Sequence, residues 1–347
     1  MDAGIIGYGV YIPAFRIKVE EISKAWKQDF NQIKTSLLIE EKSVPVVDED
    51  SVTLAVNAAK NAVLKSGIEP KQINAIYVGS ESKPYAVKPI ATIVSQALGF
   101  DAFSMAADVE FACKGGTSAF MICLGLVKSG LCNFGMAIGT DTAQAAPGDV
   151  LEYSAGAGAA AFILGNDSSK FIAQVQDAIS FTTDTPDFWR RSSEKYPEHT
   201  GRFTAEPAYF KHVYAIADKI FEKNNCKAED FDYVVFHQPN GKFPLIAAKA
   251  LGFTPEQLAP GLVVQKIGNT YSASSLIGLS AVLEQAKADQ KILLISYGSG
   301  SGCDAFIFKT TKLVEKKEDN IFDLNYYLNQ KIYLSYSEYR RHIDSIG

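Results

Sequence analysis

One cysteine in this chain stands where a nucleophile would. Cys113 lies in the run ADVEFACKGGTSAFMICLGLVKSG (107–130), where an extended segment enters a small-residue turn, Lys114-Gly115-Gly116. An apolar stretch then leaves through Phe120, Leu124 and Val127 at helical spacing. A thiol at the mouth of a helix meets free backbone N–H groups and the positive end of the helix dipole. Both favour a thiolate, and the expectation is a pKa drawn down from about 8.5. A thiolate of that kind attacks an acyl carbon. The spacing alone equally fits a buried, small apolar residue, so the surrounding elements have to decide.

Three more side chains have types suited to acyl chemistry. Glu81 ends the strand-like AIYVGSES (75–82), His237 follows DYVVF and precedes Gln238-Pro239-Asn240, and Asn269 lies in IGNTYSASS. Each also has a bland reading: a solvated carboxylate, a hydrogen-bonded strand-end histidine, a turn or helix-capping asparagine. His199, His212 and His342 read as surface or packing residues. Five cysteines without a Cys-x-x-Cys pair argue against a disulfide framework or a zinc site. The Gly-rich runs at 156–165 and 298–308 lead into strand-like segments instead of opening a helix, which excludes a dinucleotide fingerprint. GKF at 241–243 lacks what a phosphate loop needs.

The elements that would hold these residues repeat. Asp50 or Ser51 is expected to cap a helix that closes at Gly67, followed by strand 75–82, a helix from Pro89, a strand into Cys113 and the apolar helix. Ahead of them lie a strand at 3–12, helical spacing from Lys18 to Gln32 and a strand-poor stretch to Asp48. In the second half YFKHVYAIADKIFEKNN reads as a helix, DYVVFHQPN as a strand, VVQKIGNTYSASSLIGLSAVLEQAKA as strand-turn-helix and KILLISYGSGSG as a strand. Matching Gly79 to His237, Cys113 to Asn269 and Ile138 to Ile295 gives offsets of 158, 156 and 157 residues. The reading is a duplicated α/β unit whose halves pack their buried helices together. Ligands bind at strand ends in such sheets, so Glu81, Cys113, His237 and Asn269 are expected to converge.

Composition is consistent with a soluble globular chain: 347 residues, 47% hydrophobic, net charge −5. There is no basic face for nucleic acid and no polybasic membrane patch. The longest apolar run stops at Lys128, too short to span a bilayer, and the first residues lack a signal-peptide pattern, so a cytoplasmic location is expected.

ACKGGT, FHQPNGK, GNTYSASS and the closing SYGSGSG together resemble the thiolase superfamily, in its initiation-condensing branch. VGSES with Glu81, and DFWRRSSEKYPEHTGRFTAEPAYFKHV (187–213), resemble the short archaeal-type hydroxymethylglutaryl-CoA synthases within it. The resemblance spans essentially the whole chain. It implies a duplicated thiolase-like α/β fold, layered αβαβα, with pseudo-twofold halves at 1–166 and 167–312 and a C-terminal extension at 313–347. It also implies a Claisen-type condensation. Cys113 would carry the acetyl group, Glu81 act as base, His237 and Asn269 hold the acceptor ketone, and the backbone N–H groups of Cys113 and Ser299 form an oxyanion hole. Lys242, with Lys249 and Arg202 as weaker candidates, would contact CoA. Arg190 and Arg191 would join Arg202 in a basic rim. No metal or organic cofactor is implied. The implied partners are CoA thioesters, a second copy in a homodimer, an acetoacetyl-CoA thiolase and a small zinc-ribbon/OB-fold scaffold protein, with no nucleic acid and no membrane.

Two rivals share these motifs. A ketoacyl-ACP synthase III-like enzyme would use Cys113, His237 and Asn269 with malonyl-ACP and need no carboxylate base. A non-catalytic thiolase-fold subunit would be expected to lack one of the four residues, and none is missing. One departure stands out: where the usual eukaryotic and bacterial synthases carry an aromatic residue after the nucleophile, this chain has Lys114.

Overall fold

The computed structural model describes residues 1–142, 145–300, 302–316 and 322–345, excluding the side chains of 202 and 345. In the first half the order is β1 (Gly4–Tyr11), β2 (Phe15–Lys18), α1 (Val19–Ala25), α2 (Phe30–Leu37), β3 (Glu41–Val44), α3 (Ser51–Ser66), β4 (Ala75–Gly79), α4 (Ile90–Leu98), β5 (Met105–Val109), α5 (Gly115–Ser129), β6 (Phe134–Thr142) and β7 (Ala157–Gly165). The second half runs β8 (Ala173–Thr182), β9 (Phe188–Trp189), β10 (Glu198–His199), α6 (Lys211–Asn224), β11 (Tyr233–Phe236), α7 (Lys242–Leu251), α8 (Pro255–Leu258), α9 (Val264–Ile267), α10 (Ser274–Leu283), β12 (Lys291–Ile295) and β13 (Gly302–Thr310). The last elements are α11 (Leu324–Asn329), β14 (Ile332–Tyr333) and α12 (Tyr336–Ser345).

Nine strands form one sheet in the order β5-β4-β6-β7-β1-β8-β13-β12-β11. Its two halves meet along β1 and β8 through two residue pairs, Gly4 with Gln174 and Ile5 with Ala173. Each half runs antiparallel near this seam and parallel at its outer end, so β1, β7, β6 and β4 correspond to β8, β13, β12 and β11. α5 and α10 lie between the half-sheets, α3 and α4 pack on the outer face of one, and α6 packs on the outer face of the other. This is the layered α/β arrangement expected from the sequence.

The middle layer is apolar: α10 has no solvent face, and α5 buries eight of its fifteen residues. All ten residues of α10 are buried, as befits a helix that is hydrophobic all round. Phe120 on α5 sits edge-on to Phe162 of one half-sheet and to Phe306 and Phe308 of the other. Truncating such a residue to Ala costs about 3–5 kcal/mol. α3 starts and stops where its caps dictate: Asp50 accepts from the backbones of Val52 and Thr53, Thr53 completes a capping box, and Gly67 ends the helix at φ +63°.

Three expectations fail. The helical spacing from Lys18 to Gln32 is realised as two short helices, α1 and the start of α2, but the stretch to Asp48 expected to be strand-poor contains β3, which pairs with β2. VVQK (263–266) is not a strand: Val264 and Ile267 bury one helical face, and Gly268 at φ +74° stops the turn. Among the described residues the second half therefore lacks a counterpart of β5. The third failure is the pairing of Cys113 with Asn269. Single 3-10 turns, Ala112–Lys114 and Tyr271–Ala273, lead into α5 and α10, and each opens on a non-glycine residue at positive φ, Ala112 at +44° and Tyr271 at +49°. The structural partner of Cys113 is thus Ser272, while Asn269 lies just ahead of its turn.

The C-terminal residues pack on the body. β14 extends the β2–β3 sheet, and the Tyr339 hydroxyl of α12 accepts from the buried Lys42 ammonium at 3.0 Å. Glu152, fully buried, accepts from the Tyr336 hydroxyl at 3.1 Å, from Trp26 Nε1 at 2.9 Å and from the backbone of Gly148 at 2.8 Å. Arg340 Nη1 approaches it at 3.6 Å.

Candidate active site

The Cys113 turn is held by glycine contacts that admit no side chain. A Cβ at Gly79, the end of β4, would overlap the backbone of Gly115, and a Cβ at Gly116 or Gly139 would overlap the Ser272 carbonyl. A Cβ at Gly298 would stand 2.6 Å from Lys114 Cβ and 2.7 Å from the Phe111 carbonyl oxygen. Gly79, Gly115, Gly116, Gly139 and Gly298 therefore let β4, the Ser272 turn and the Gly298–Gly302 bridge close on the nucleophile together. Asp141, fully buried at the end of β6, ties two of these segments. Its carboxylate accepts from the backbones of Glu81 at 2.9 Å, Ser82 at 3.0 Å and Ser272 at 2.9 Å, and from the hydroxyls of Ser80 and Ser82.

A cavity of about 410 Å³ opens beside this junction, lined by Cys113, His237, Asn269 and Ser299 with Phe188, Tyr209, Tyr271 and Tyr297 among its walls. The size is ordinary for a small-molecule site. β11 delivers His237, whose backbone N–H donates to Ile295 and whose carbonyl accepts from Tyr209. Asn269 is fixed by the Ser154–Gly156 segment: its N–H donates to Ser154 and its carbonyl accepts from Gly156. Its side-chain oxygen accepts from the backbone of Tyr271 at 2.9 Å, which leaves the amide N–H groups as its donors toward the cavity. Glu81 lies on two adjoining cavities, and Phe188 and Ser299 line both the main cavity and one of these.

The electrostatics overturn the expectation of a lowered thiol pKa. Burial, then the carboxylates of Glu81, Asp141 and Asp187, push the Cys113 thiol well above its ordinary value. The helix mouth is present but is outweighed by a desolvated, acidic surrounding. Glu81 was expected to be exposed by its strand end. Its Oε2 atom is instead buried without a hydrogen-bond partner among the described residues, and burial, then Asp141 and Glu110, raise its pKa well above the carboxylate range. Burial lowers His237 to about 3, and its Nδ1 also lacks a partner among the described residues. At neutral pH the resting site therefore holds a neutral thiol and a neutral imidazole.

Other sequence candidates lie elsewhere. Lys242 is exposed at the first residue of α7, next to Asn240 and Phe243 of the wall, and Lys249 is exposed in the helix's last turn. Neither lines the cavity. The side chain of Arg202 lies outside the described residues. Arg190 donates to the carbonyl of Glu81 at 3.2 Å. His199, read as surface or packing, lines the cavity 3.4 Å from Asp149. Asp141, Asp187 and Tyr271 were not singled out. Asp187 accepts from Tyr297 and from the backbone of Gly300. A lone Asp between two Thr in an otherwise apolar strand, TDT at 140–142, was the available signal for Asp141.

Residues 221–310 match the family model of the C-terminal part of 3-oxoacyl-[acyl-carrier-protein] synthase III. A hydroxymethylglutaryl-CoA synthase of Methanopyrus kandleri is 55% identical over 97% of this chain and 96% of its own length. The chain belongs to the hydroxymethylglutaryl-CoA synthase family. The Methanosarcina barkeri synthase is 54% identical over 99% of this chain and 98% of its own. Among solved structures, a hydroxymethylglutaryl-CoA synthase complexed with CoA has a TM-score of 0.89 at 24% identity, covering 99% of this chain and 90% of that one. A 3-oxoacyl-(acyl carrier protein) synthase III from Pseudomonas aeruginosa has a TM-score of 0.81 at 18% identity, covering 90% of this chain and 99% of that one. These two share the fold. As a member of the synthase family the chain is a carbon–carbon bond-forming acyltransferase.

Proposed function

We propose that this chain condenses acetyl-CoA with acetoacetyl-CoA and water to give 3-hydroxy-3-methylglutaryl-CoA and CoA, with Cys113 as the acetyl carrier and Glu81 as the carbon base. The observation that carries the reading is the buried carboxyl of Glu81 beside a Cys113–His237–Asn269 cavity, because a condensation driven by decarboxylation needs no base. His237, neutral at rest, takes the thiol proton as sulfur attacks the acetyl carbonyl and keeps it, and CoA leaves as a thiolate that takes its proton from solvent. Glu81 removes a proton from the acetyl methyl; its raised pKa makes the carboxylate a better base for a carbon-bound proton. The enolate carbon attacks the ketone of acetoacetyl-CoA, the alkoxide takes a proton from His237, and Asn269 donates to the same oxygen. Water then cleaves the thioester to Cys113. Backbone N–H groups of Cys113 and Ser299 stabilise the oxyanions, each worth about 3 kcal/mol. Only side chains, the two thioesters and water enter these steps.

CoA is the shared substrate handle. Lys242, an exposed cation on the first turn of α7 beside the wall residue Asn240, suits a CoA phosphate, where a helix N-terminus adds to the attraction. Lys249 and Arg202 are further contacts in this reading. Labelled acetyl-CoA, followed by acetoacetyl-CoA, tests the whole. Label on Cys113 that moves into a six-carbon dicarboxylate thioester supports the synthase, turnover with malonyl-ACP instead favours the synthase III-like alternative, and no label favours a non-catalytic subunit.

The chain also acts as a homodimer in this reading. β5 is an edge strand whose residues are all half-buried, and Phe103 and Val87 nearby are 95% and 94% exposed. An acetoacetyl-CoA thiolase and a zinc-ribbon/OB-fold scaffold are the further partners, in the cytoplasm and on the route through mevalonate to isoprenoids. The gain is physical: irreversible condensation next door pulls forward an acetoacetyl-CoA equilibrium that is unfavourable alone. Elution of the native protein as an isolated dimer at physiological concentration counts against the larger complex. No helix among the described residues is long and apolar enough to cross a membrane.

A further inference from the structure

We propose that Lys114 is a positioning residue for acetyl transfer: its buried ion pair with Asp304 straps the bridged pair Gly298 and Gly302, with Ser299, onto the turn that carries Cys113. The inference rests on the acyl-transfer reading above. Lys114 Nζ lies 3.1 Å from Asp304 Oδ1, with the two side chains 6% and 0% exposed. It also donates to Ser118 Oγ at 3.0 Å and sits 4.0 Å from the centre of the Phe111 ring, which covers the cation. Taking a lysine and an aspartate fully out of water is costly, and apolar residues of similar volume hold a core at least as well. The fold therefore does not call for charges here.

The geometry shows what the pair joins. Lys114 follows the nucleophile and opens onto α5 in the first half, while Asp304 lies on β13 in the second. Two residues before Asp304, Gly302 exchanges backbone hydrogen bonds with Gly298 at 2.8 and 3.1 Å, and Ser299 follows Gly298 directly. Gly298 packs on the Cβ of Lys114 while Asp304 on β13 holds its ammonium, so the side chain is held at both ends by residues that flank the Gly298–Gly302 bridge. Thr117, one turn into α5, repeats the link: its hydroxyl lies 2.9 Å from Asp304 Oδ2 and 2.8 Å from Ser296 Oγ. Ser180 donates to Asp304 from β8. The backbone N–H groups of Cys113 and Ser299 come from opposite halves of the chain, and this strap sets their separation. An oxyanion formed when Cys113 sulfur attacks a thioester carbonyl needs both donors at once, and the negative charge resides on that oxygen until CoA departs.

An alkylation at Cys113 by iodoacetamide forms a carbon–sulfur bond and expels iodide without an oxyanion, so it separates positioning from general damage. In Lys114→Met the single-turnover acetylation rate is expected to fall about 10- to 100-fold, the size associated with misplacement by about an ångström, with KM for acetyl-CoA within about threefold. The alkylation rate measured across pH is expected to stay within about threefold. Lys114→Arg, which keeps a cation for Asp304, is expected to recover most of the acetylation. Asp304→Asn, which keeps shape and hydrogen bonding while removing the charge, provides the same comparison where Lys114→Met folds poorly. The proposal is overturned if a folded variant acetylates at the wild-type rate, or if alkylation falls in parallel with acetylation. Failure of wild-type protein to take up acetyl from acetyl-CoA would instead sink the underlying functional reading.

Discussion

Gly79 and Gly115 meet backbone to backbone, at the point where β4 hands on to Glu81 and the Cys113 turn hands on to α5. The distance between base and nucleophile is set by the absence of two side chains. Gly79→Ala is expected to destabilise the protein by about 1–3 kcal/mol through overpacking and to depress condensation more than acetylation. Gly125→Ala, on the exposed face of α5 with open space around it, is the control. It is expected to stabilise by about 0.5–1 kcal/mol with activity unchanged. Thermal unfolding and single-turnover labelling distinguish the two.

Replacing Glu81 with Gln is expected to keep acetylation of Cys113 and to lower condensation at least about 100-fold, the contribution of a positioned base. Removing that negative charge also brings the Cys113 pKa down, since Glu81 is the largest charge contribution raising it. Iodoacetamide inactivation at pH 8 should therefore accelerate. A condensation rate near that of wild type refutes Glu81 as the base.

Stability should move the other way. The folded-state pKa of Glu81 is raised, so its contribution is fully present below the unfolded value of about 4.5 and is lost as pH rises through the higher folded value. Glu81→Gln is accordingly expected to melt higher than wild type at pH 8 and to converge with it near pH 4, measured by calorimetry across pH.

His237 titrates near 3, below its unfolded value of 6.5. The unfolded chain binds the extra proton between those values, so stability contributed by neutral His237 is lost as pH falls from 6.5 toward 3. The pH profile of acetylation should show no histidine limb near 6.5, and His237→Gln should flatten the acid limb of the stability curve. A limb centred near 6.5 would show that His237 is solvated in solution.

Lys42, lowered to about 7 by burial, titrates against α12. Its unfolded pKa of 10.5 lies higher, so the unfolded chain holds more protons between pH 7 and 10.5 and stability rises with pH across that window. Lys42→Met should remove that rise. Arg340→Ala should cost about 1–3 kcal/mol by weakening the partners of Glu152 and raise KM for acetyl-CoA, because Val150, Leu151 and Ser154 around Glu152 line the cavity.

What the sequence disclosed followed local rules. Asp50 and Gly67 bound α3 because caps are written in adjacent residues, whereas the turn expected at Lys114-Gly115-Gly116 lies at Ala112–Lys114 and the two glycines open α5. Cys113, His237 and Asn269 were legible as a set because strand ends of a duplicated α/β unit converge. The parts missed depend on distant residues. The Cys113 pKa is decided first by burial and then by Glu81, Asp141 and Asp187, all of which only folding brings about. VVQK has strand-favouring residues, yet helical burial of Val264 and Ile267 wins. Asn269 was aligned with Cys113 by counting residues, whereas the positive-φ positions Ala112 and Tyr271 mark the true correspondence. Lys114 had no reading until Asp304 was seen opposite it.

The grip of α12 on Glu152 and Lys42 has a consequence in time. Residues 336–345 emerge from the ribosome after every segment they brace, and chains fold broadly from the N-terminus as they are made. Until then the segment that fixes Asn269 through Ser154 and Gly156 has a buried carboxylate without its Tyr336 and Arg340 partners. The cavity is thus completed only once α12 has been made, and a nascent chain still missing this helix would carry the nucleophile before it carries a finished wall to shield an acyl group from water.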